Sequence, residues 1–412
     1  MKIKSNRRKF INTLCKVSIL PVVAPTLSWG QTKGRSGDVR QNEGLSFICP
    51  PYLQSPTSNS MAILWMVNRP SFSWVEYGLT KDRLDHKAVS IQAGLVDANN
   101  TMNKIPIRSL IPATKYYYRV CSKEILDFQP YNIVWGEEIK SDIFEFKTWP
   151  EHAKSVSWLV FNDIHDRPES FPLLYRLADQ PDSDFVFLNG DMFNYDTDQQ
   201  QFVDHLIKPL TALFASESPF FYSRGNHETR GRFARHHGLY FDNPTMDNKF
   251  FYSYILGPVH FIVLDTGEDK TDADKAYNGL VAFDDYRQAQ AEWLEKQMQT
   301  EAFKKAPFRV VIMHIPTYES GDWHGTMHSR ELFNPLFNKG KIDLLISGHT
   351  HKYGTYSADP LTHHYPIVIG GGPKDGKRTV IKVKATHKKL ELKVLRDDGE
   401  VVKEVHLDSE RS

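Results

Sequence analysis

Five short segments of this 412-residue sequence carry side chains of the kinds that bind divalent metal ions. In chain order they are Asp163-Ile164-His165, Gly190-Asp191, Gly225-Asn226-His227-Glu228, His314 and Gly348-His349-Thr350-His351. Their donors are carboxylate, amide and imidazole groups without a thiolate, a set that suits Mn, Fe and Zn. The sequence therefore predicts a metal site formed by side chains of these five segments.

The spacing of these ligands favours two ions rather than one. Asp163 and His165 are two residues apart, so both side chains can reach one ion from the end of an extended segment, and His349 and His351 have the same spacing. Two ions about 4 Å apart need a bridging carboxylate, and Asp191 is the natural bridge. The glycines in three of the segments let the backbone turn close to a crowded site.

Each segment follows a short apolar run that is typical of a buried strand. These runs are Val156–Phe161, Phe185–Leu188, Phe220–Tyr222, Arg309–Met313 and Leu344–Ile346. They alternate with helical stretches at roughly 169–180, 198–215, 285–303 and 329–338, which indicates an α/β domain over residues 150–412. In open α/β sheets, sites form beyond the carboxyl ends of the strands, where these side chains would meet. Residues 379–407 alternate apolar and polar residues and predict closing antiparallel strands.

Residues 45–149 have a different pattern of apolar and polar residues from the α/β domain. From about 45 to 149, short apolar runs such as Met61–Val67 and Tyr116–Val120 are separated by turn signals, which predicts a β-sandwich. The run Leu110-Ile111-Pro112-Ala113-Thr114-Lys115-Tyr116-Tyr117-Tyr118-Arg119-Val120 resembles the corner and penultimate strand of a fibronectin type III domain. The alternative is an aromatic strand in another kind of sandwich.

The five metal-type segments, in this order, resemble those of the calcineurin-like metallophosphoesterase superfamily. A fibronectin-like domain ahead of such a domain is similar to the purple acid phosphatases. The resemblance implies a four-layer αββα sandwich preceded by an all-β fibronectin type III-like sandwich. It also implies that Asp163, His165 and His351 bind one ion and Asn226, His314 and His349 the second, with Asp191 bridging and His227 facing the substrate.

Two positions depart from the purple acid phosphatase pattern. Those enzymes have a tyrosine three residues after the bridging aspartate, and its phenolate binds ferric iron and gives the colour. Here that position is Asn194, with Tyr195 one place later. They also lack the histidine of the first segment, which is His165 in this chain. We therefore expect a colourless centre with two divalent transition-metal ions, Fe, Mn or Zn.

The function implied by the resemblance is hydrolysis of phosphate esters, either monoesters or diesters. A hydroxide activated by the metals would attack phosphorus, while His227 stabilises the equatorial oxygens or protonates the leaving group. One alternative is a nuclease of the same superfamily, but the formal net charge is only +1 and no basic stripe is evident. The other alternative is a non-catalytic binding protein, which would be supported by missing ligands. The expected partner is a small phosphorylated substrate.

Four further residues are candidates for supporting the site. Glu228 would orient His227 or a ligand, and Arg230 would contact a phosphate or a more distant anion. Trp323 lies in a loop with Tyr318, His324 and His328 that we interpret as a wall of the substrate pocket, and Tyr353 would border the site. The alternatives are surface packing for the loop and a solvated or ion-paired arginine.

The first thirty residues read as an export signal. A basic start precedes the acid-free apolar run Val17–Leu27, which is too short to span a bilayer. The segment Asn6-Arg7-Arg8-Lys9-Phe10-Ile11 resembles a twin-arginine signal, with a general secretory signal or a basic tail as alternatives. The sequence thus predicts a signal peptide at 1–30, a flexible leader at 31–44 and a periplasmic or extracellular protein. Cys49 and Cys121 could then pair or remain buried thiols.

Overall fold

The computed structural model describes residues 44–178, 183–244 and 250–411. The predicted export signal at 1–30 lies outside the described residues, and so does the leader apart from Gly44. In the part of the chain that is described, no helix is both long enough and apolar enough to cross a bilayer.

Nine strands lie within residues 44–149 of the described chain. They are β1 (Tyr52–Gln54), β2 (Met61–Gly78), β3 (His86–Ala88), β4 (Ile91–Gln92), β5 (Leu95–Val96), β6 (Ala98–Ile107), β7 (Lys115–Gln129), β8 (Asn132–Lys140) and β9 (Phe144–Lys147). The long strand β2 changes partners along its length. Its first half pairs with β1 and β6, and its second half pairs with β3 and β7. Strand β7 pairs in turn with β8 and β9.

The first half of β2 is covered on both faces. Met61 and Trp65 point into the core of the sandwich, whereas Leu64 and Met66 pack into a second core that continues into the following domain. Because side chains alternate along a strand, a strand with one solvated face would alternate apolar and polar residues. Burial on both faces explains why the sequence here is a continuous apolar run.

Two six-stranded mixed sheets follow. Their strands are β10 (Ser155–Phe161), β11 (Phe185–Asn189), β12 (Phe220–Ser223), β13 (Tyr252–Leu256), β14 (Val259–Leu264), β15 (Phe308–Met313), β16 (Leu344–Ser347), β17 (Gly354–Tyr356), β18 (Ile367–Ile369), β19 (Thr379–Thr386), β20 (Lys389–Arg396) and β21 (Val401–Asp408). The first sheet has the order β12-β11-β10-β19-β20-β21, and the second has the order β13-β14-β15-β16-β18-β17. Strands β10, β11 and β12 are parallel, as are β14, β15, β16 and β18.

Helices cover the outer faces of both sheets. They are α1 (Ser170–Leu177), α2 (Gln199–Phe202), α3 (Lys208–Leu213), α4 (Phe283–Gln297), α5 (Glu301–Lys305) and α6 (His324–Gly340), with a π-helical turn over Val203–Ile207 joining α2 to α3. The inner faces pack on each other through Trp158 and Phe185 of one sheet and Phe261 and Val310 of the other. Helices α1 to α3 pack on the first sheet and α4 to α6 on the second. The predicted four-layer αββα fold with a preceding β-sandwich is confirmed.

Two predicted helices have different bounds from those expected. The predicted helix at 285–303 is divided into α4 and α5, because the hydroxyl of Thr300 accepts the backbone N–H of Phe303 and begins a new helix. Helix α6 begins at His324, five residues before the predicted start. Strand β13 was not predicted. Its sequence, Tyr-Ser-Tyr-Ile-Leu, is neither a continuous apolar run nor a strict alternation of apolar and polar residues.

The sandwich and the two-sheet domain meet through buried polar contacts. The hydroxyl of Tyr118 donates a 2.7 Å hydrogen bond to the carbonyl of Ser216, and that of Tyr52 donates a 2.8 Å bond to the carbonyl of Tyr240. The backbone N–H of Leu53 donates to the carbonyl of Ala215 at 2.9 Å. These contacts flank the shared core described above.

Of the two arrangements left open for the cysteines, the structure has two separate buried thiols. Cys49 and Cys121 are both free. Burial raises the pKa of each thiol to about 12, so neither is a thiolate at neutral pH.

Candidate metal centre

The seven predicted ligands lie at the carboxyl ends of parallel strands from both sheets. Strands β10, β11 and β12 of the first sheet and β15 and β16 of the second end at the same edge of the double layer. The turns that follow these strands carry Asp163, His165, Asp191, Asn226, His314, His349 and His351. The structure brings all of them together.

A first donor cluster is formed by Asp163, His165, Asp191 and His351, each offering a ligand atom within 4.8 Å of the others. His165 Nε2 is 2.9 Å from His351 Nε2 and 3.5 Å from Asp191 Oδ2. His351 Nε2 is 3.3 Å from Asp163 Oδ1. Ligands around a tetrahedral ion at 2.0–2.1 Å are separated from one another by roughly 3.3 Å. The cluster therefore has the dimensions of a coordination sphere.

A second cluster shares Asp191 with the first. Asp191, His314 and His349 offer ligand atoms within 4.8 Å of one another. His314 Nε2 lies 3.1 Å from Asp191 Oδ2, and His349 Nδ1 lies 3.0 Å from the amide oxygen of Asn226. Since Asp191 Oδ2 faces both His165 and His314, one carboxylate oxygen lies between the two clusters. This is the arrangement of a bridging ligand.

Hydrogen bonds on the far side of the rings set the tautomers of two histidines. His314 Nδ1 is 2.8 Å from the carbonyl oxygen of Asn189, which can only accept, so Nδ1 carries the proton. His165 Nδ1 similarly lies 3.2 Å from the amide oxygen of Asn194. In the neutral imidazole each Nε2 presents a lone pair to the cluster, and that of His314 is buried without a well-aligned hydrogen-bond partner among the described residues. Metal-binding histidines are oriented in this way, so the donor set fits two metal ions.

The charges of the cluster are strongly coupled. Burial opposes ionisation of His314, but the carboxylates of Asp191 and Asp163 outweigh it and raise the pKa of the imidazole to about 10. Burial and the nearby charge of His314 lower the pKa of His349 to about 4. Burial alone would raise the pKa of Asp191, yet the charge of His314 brings it well below its usual range. The carboxylates thus stay ionised, and without metal a proton on His314 balances them.

Five of the seven predicted ligands have left-handed backbone conformations. The φ angles are 53° at Asp163, 50° at His165, 56° at Asp191, 72° at His349 and 57° at His351. Non-glycine residues in this region cost of the order of 1–3 kcal/mol each and concentrate at functional sites. Left-handed residues also occur elsewhere in the described chain, but here five of them lie in three neighbouring turns around one group of side chains.

Glycines adjacent to the ligands allow the strands to approach one another. A Cβ on Gly225 would stand 2.3 Å from Asp191 Oδ1, and one on Gly348 would stand 2.4 Å from Asp163 Oδ2. Neither contact is sterically possible without a shift of the carboxylate. Any side chain at these positions would therefore displace a ligand.

Glu228 lies behind the ligands and is fully buried. Its Oε2 accepts the backbone N–H groups of Asp191 at 2.9 Å and Gly225 at 2.8 Å. Its Oε1 accepts those of Met192 at 2.5 Å and Phe193 at 3.2 Å. Of the two predicted roles, orienting a ligand or orienting His227, these contacts support the first.

His227 and Arg230 stand beside the clusters. His227 Nδ1 donates to the carbonyl of Asn194 at 2.8 Å, and its Nε2 lies 4.0 Å from Asp191 Oδ2 and 3.2 Å from a guanidinium nitrogen of Arg230. Arg230 is held by Glu268 through two bonds of 2.7 and 2.8 Å. Burial lowers the pKa of His227, although the carboxylate of Asp191 acts against it. Sequence reasoning missed Glu268, because no motif surrounds it.

The remaining predicted residues are placed less centrally. Tyr353 lines a cavity of about 370 Å³ together with His351, one of the predicted ligands. Trp323 directly precedes α6 and is 54% exposed. Asn194, which stands where purple acid phosphatases have the metal-binding tyrosine, contacts His165 as described above. The exposed ring of the following residue, Tyr195, lies 6.2 Å from the ring of His227.

Comparisons with known families agree with this architecture. Residues 157–353 match the model of the calcineurin-like phosphoesterase family, a range that contains all seven clustered ligands. Residues 50–148 match the purple acid phosphatase N-terminal domain.

Individual relatives point the same way. The chain is 23% identical over 348 residues to probable purple acid phosphatase 20 of Arabidopsis thaliana, a match that covers 78% of this chain and 73% of the relative. Its fold is similar to purple acid phosphatase PPD1 from yellow lupin (Lupinus luteus) seeds, with a TM-score of 0.65, 16% identity and coverage of 87% of this chain and 74% of that one. It is also similar to PhoD, with a TM-score of 0.60, 12% identity and coverage of 88% and 90%. The chain therefore carries a calcineurin-like phosphoesterase domain and a purple acid phosphatase N-terminal domain, which together indicate a metal-dependent phosphoester hydrolase.

Proposed function

We propose that this chain hydrolyses small phosphate monoesters or diesters at a centre of two divalent ions. Asp163, His165 and His351 would hold one ion and Asn226, His314 and His349 the other, with Asp191 between them. The observation that carries the proposal is the position of Asp191 Oδ2, which is 3.5 Å from His165 Nε2 on one side and 3.1 Å from His314 Nε2 on the other.

When bound, the two ions would neutralise the charge of the phosphate ester and lower the pKa of a water molecule from about 15.7 toward ~7. The tautomers described above leave Nε2 of His165 and His314 available for this purpose. Glu228 fixes the backbone of Asp191 and of Gly225, next to Asn226, so these ligands keep their positions when substrate binds.

We assign the acid–base position to His227. Its Nδ1–H is fixed on the carbonyl of Asn194, so Nε2 is the atom that faces the substrate. Arg230 donates toward the same atom and is anchored by Glu268. A phosphoryl oxygen that enters between the two side chains would replace Nε2 as the acceptor for Arg230, and its negative charge would oppose the lowering of the pKa of His227 by burial. Nε2 would then be free to carry the proton that it donates to the leaving oxygen. General acid assistance of this kind contributes about 10²–10⁴ in rate.

The substitution Asp191→Asn tests the metal centre. It removes the charge that the two clusters share, so we expect turnover of p-nitrophenyl phosphate and bis-p-nitrophenyl phosphate to be lost and the bound metal to fall below two ions per chain. Asp85→Asn, on an exposed segment of the sandwich, is the matched control. If Asp191→Asn retained full turnover, the proposed mechanism would be wrong.

The substitution His227→Asn tests the acid–base position. We expect kcat to fall by about 10²–10⁴ while the metal content stays at two ions. A fall in metal content would instead make His227 a ligand. The ratio of activities on the two nitrophenyl substrates assigns the enzyme to monoesters or diesters, and inactivity with Fe, Mn and Zn alike would favour a binding protein.

We further propose the domain division predicted from the sequence, with a sandwich at 45–149 and a catalytic domain at 150–412. The separate matches at 50–148 and 157–353 support it. Export through a twin-arginine signal at 1–30 is proposed from the sequence alone. The pair substitution Arg7→Lys with Arg8→Lys should retain the full-length chain in the cytoplasm, and normal export of that variant would contradict it.

A further inference from the structure

A second group of metal-type side chains lies outside the catalytic centre. Asp284 is in the first turn of α4, and His324 and His328 are one turn apart at the start of α6. Each offers a ligand atom within 4.8 Å of the other two. Neither the phosphoesterase motifs nor the proposed mechanism uses these residues in this way.

We propose that Asp284, His324 and His328 form a third metal-binding site, specific for a borderline ion such as Zn²⁺. His324 Nε2 is 2.8 Å from Asp284 Oδ1 and 3.0 Å from Oδ2, and His328 Nδ1 is 3.2 Å from Oδ1. Ligands of a tetrahedral zinc ion are separated by roughly 3.3 Å, so an ion needs these atoms to move apart by only a few tenths of an ångström.

The nitrogen of His328 is the most informative atom of the group. His328 Nδ1 is buried and makes no well-aligned hydrogen bond to any described residue, although Asp284 Oδ1 is near. Buried polar atoms almost always have a partner, and an ion is one explanation for those that lack one. The imidazole rings of His324 and His328 lie 5.5 Å apart with an angle of 22° between their planes. Both rings therefore present an edge nitrogen toward the same carboxylate.

The alternative is a metal-free polar contact centred on Asp284, with Arg287 as its cation. Arg287 does lie 2.8 Å from Asp284 Oδ1. However, the same guanidinium also donates to the carbonyls of Thr266 and Glu268, so its position is fixed by the protein backbone. Asp284 Oδ2 lies 3.0 Å from His324 Nε2, and it can bind an ion while Oδ1 keeps Arg287.

The coordination sphere would be incomplete without solvent. Three protein ligands leave the fourth tetrahedral position open, and the side chains of Asp284, His324 and His328 are 38%, 34% and 21% exposed. Water can therefore fill that position. The ion would join α4 to the N-terminal turn of α6 and so fix the loop that precedes α6, including Trp323.

The test counts zinc ions. The full chain is stripped with a chelator, reconstituted with Zn²⁺, passed over a desalting column and analysed for metal and protein. We expect the double variant His324→Gln with His328→Gln to hold one ion fewer per chain than the wild type. The exposed His406→Gln is the matched control and should hold the wild-type number.

Equal zinc content in the double variant and the wild type would overturn the proposal. If the double variant does not fold, His328→Gln alone serves, because it keeps the hydrogen bond between His324 and Asp284. The difference in visible absorption between Co²⁺-loaded wild type and this single variant should show the bands of one tetrahedral cobalt ion, and a flat difference spectrum would contradict the site. Neither readout depends on turnover, so the result is independent of the proposed phosphatase activity.

Discussion

Replacing Glu228 by glutamine tests whether one buried carboxylate holds the ligand turns in place. Each carboxylate oxygen of Glu228 accepts two backbone N–H groups, those of Asp191 and Gly225 on one side and those of Met192 and Phe193 on the other. Glutamine keeps one accepting oxygen and replaces the other by an NH₂ group. Two buried N–H groups therefore lose their acceptor and face another donor.

The magnitude follows from this count. Burial and the charge of Asp191 raise the pKa of Glu228 to about 7, so the group is only partly charged at neutral pH. A buried N–H group that loses its acceptor costs about 1–3 kcal/mol, so the loss of two acceptors predicts a destabilisation of about 2–6 kcal/mol. This is large compared with the roughly 5–15 kcal/mol that stabilises a typical folded protein. Because Asp191 is one of the affected residues, we also expect weaker metal binding.

Urea unfolding of the metal-free protein, followed by tryptophan fluorescence, measures the effect. Glu391→Gln, on the exposed face of β20, is the matched control and should change the free energy of unfolding by less than about 0.5 kcal/mol. A change below about 1 kcal/mol in Glu228→Gln, together with normal metal stoichiometry, would refute the assigned role.

Four further predictions concern the centre. Metal binding near pH 8 should release a proton from His314, because the charge of Asp191 outweighs the effect of burial and raises the pKa of the imidazole to about 10. Calorimetry in two buffers of different ionisation enthalpy should then give different heats of binding, and identical heats would contradict this. In metal-free protein the raised pKa of His314 stabilises the fold fully at pH values below 6.5, the ordinary pKa of histidine, and that stabilisation is lost as the pH rises through about 10. The urea midpoint should therefore fall between these pH values by more in the wild type than in His314→Gln. Gly225→Ala should abolish metal binding because its Cβ would stand 2.3 Å from Asp191 Oδ1, whereas Gly238→Ala, with its nearest neighbour at 3.4 Å, should bind normally. Iron-loaded protein should show no phenolate charge-transfer band, because Asn194 follows the bridging residue at the tyrosine position; a purple protein would disprove this.

Much of the centre could be predicted because its chemistry is local in sequence. The strands are short apolar runs, and the ligands follow within a few residues of the strand ends: Asp163 is two residues after β10, and His351 is four residues after β16. These features depend on residue type and spacing within one segment. The burial of both faces of β2 was not predicted, although the run Met61–Val67 has no polar residue to face water.

The parts that could not be predicted depend on contacts between distant segments. Glu268 supports Arg230 from 38 residues away, and nothing near it in the sequence indicates that role. The cluster of Asp284 with His324 and His328 joins two helices, and a single histidine pair at helical spacing is common without a metal. The division of α4 from α5 rests on one side-chain hydrogen bond at Thr300.

The way β2 is covered has a mechanical consequence. Because Leu64 and Met66 complete a core with the helices of the catalytic half, the sandwich cannot swing or separate without exposing apolar surface to water. The buried hydroxyls of Tyr52 and Tyr118 would lose their acceptors in the same movement. The two halves should therefore melt in a single cooperative transition, and a fragment that begins at residue 150 should aggregate. Rocking of the two halves against each other is therefore not expected to alter access to the metal centre.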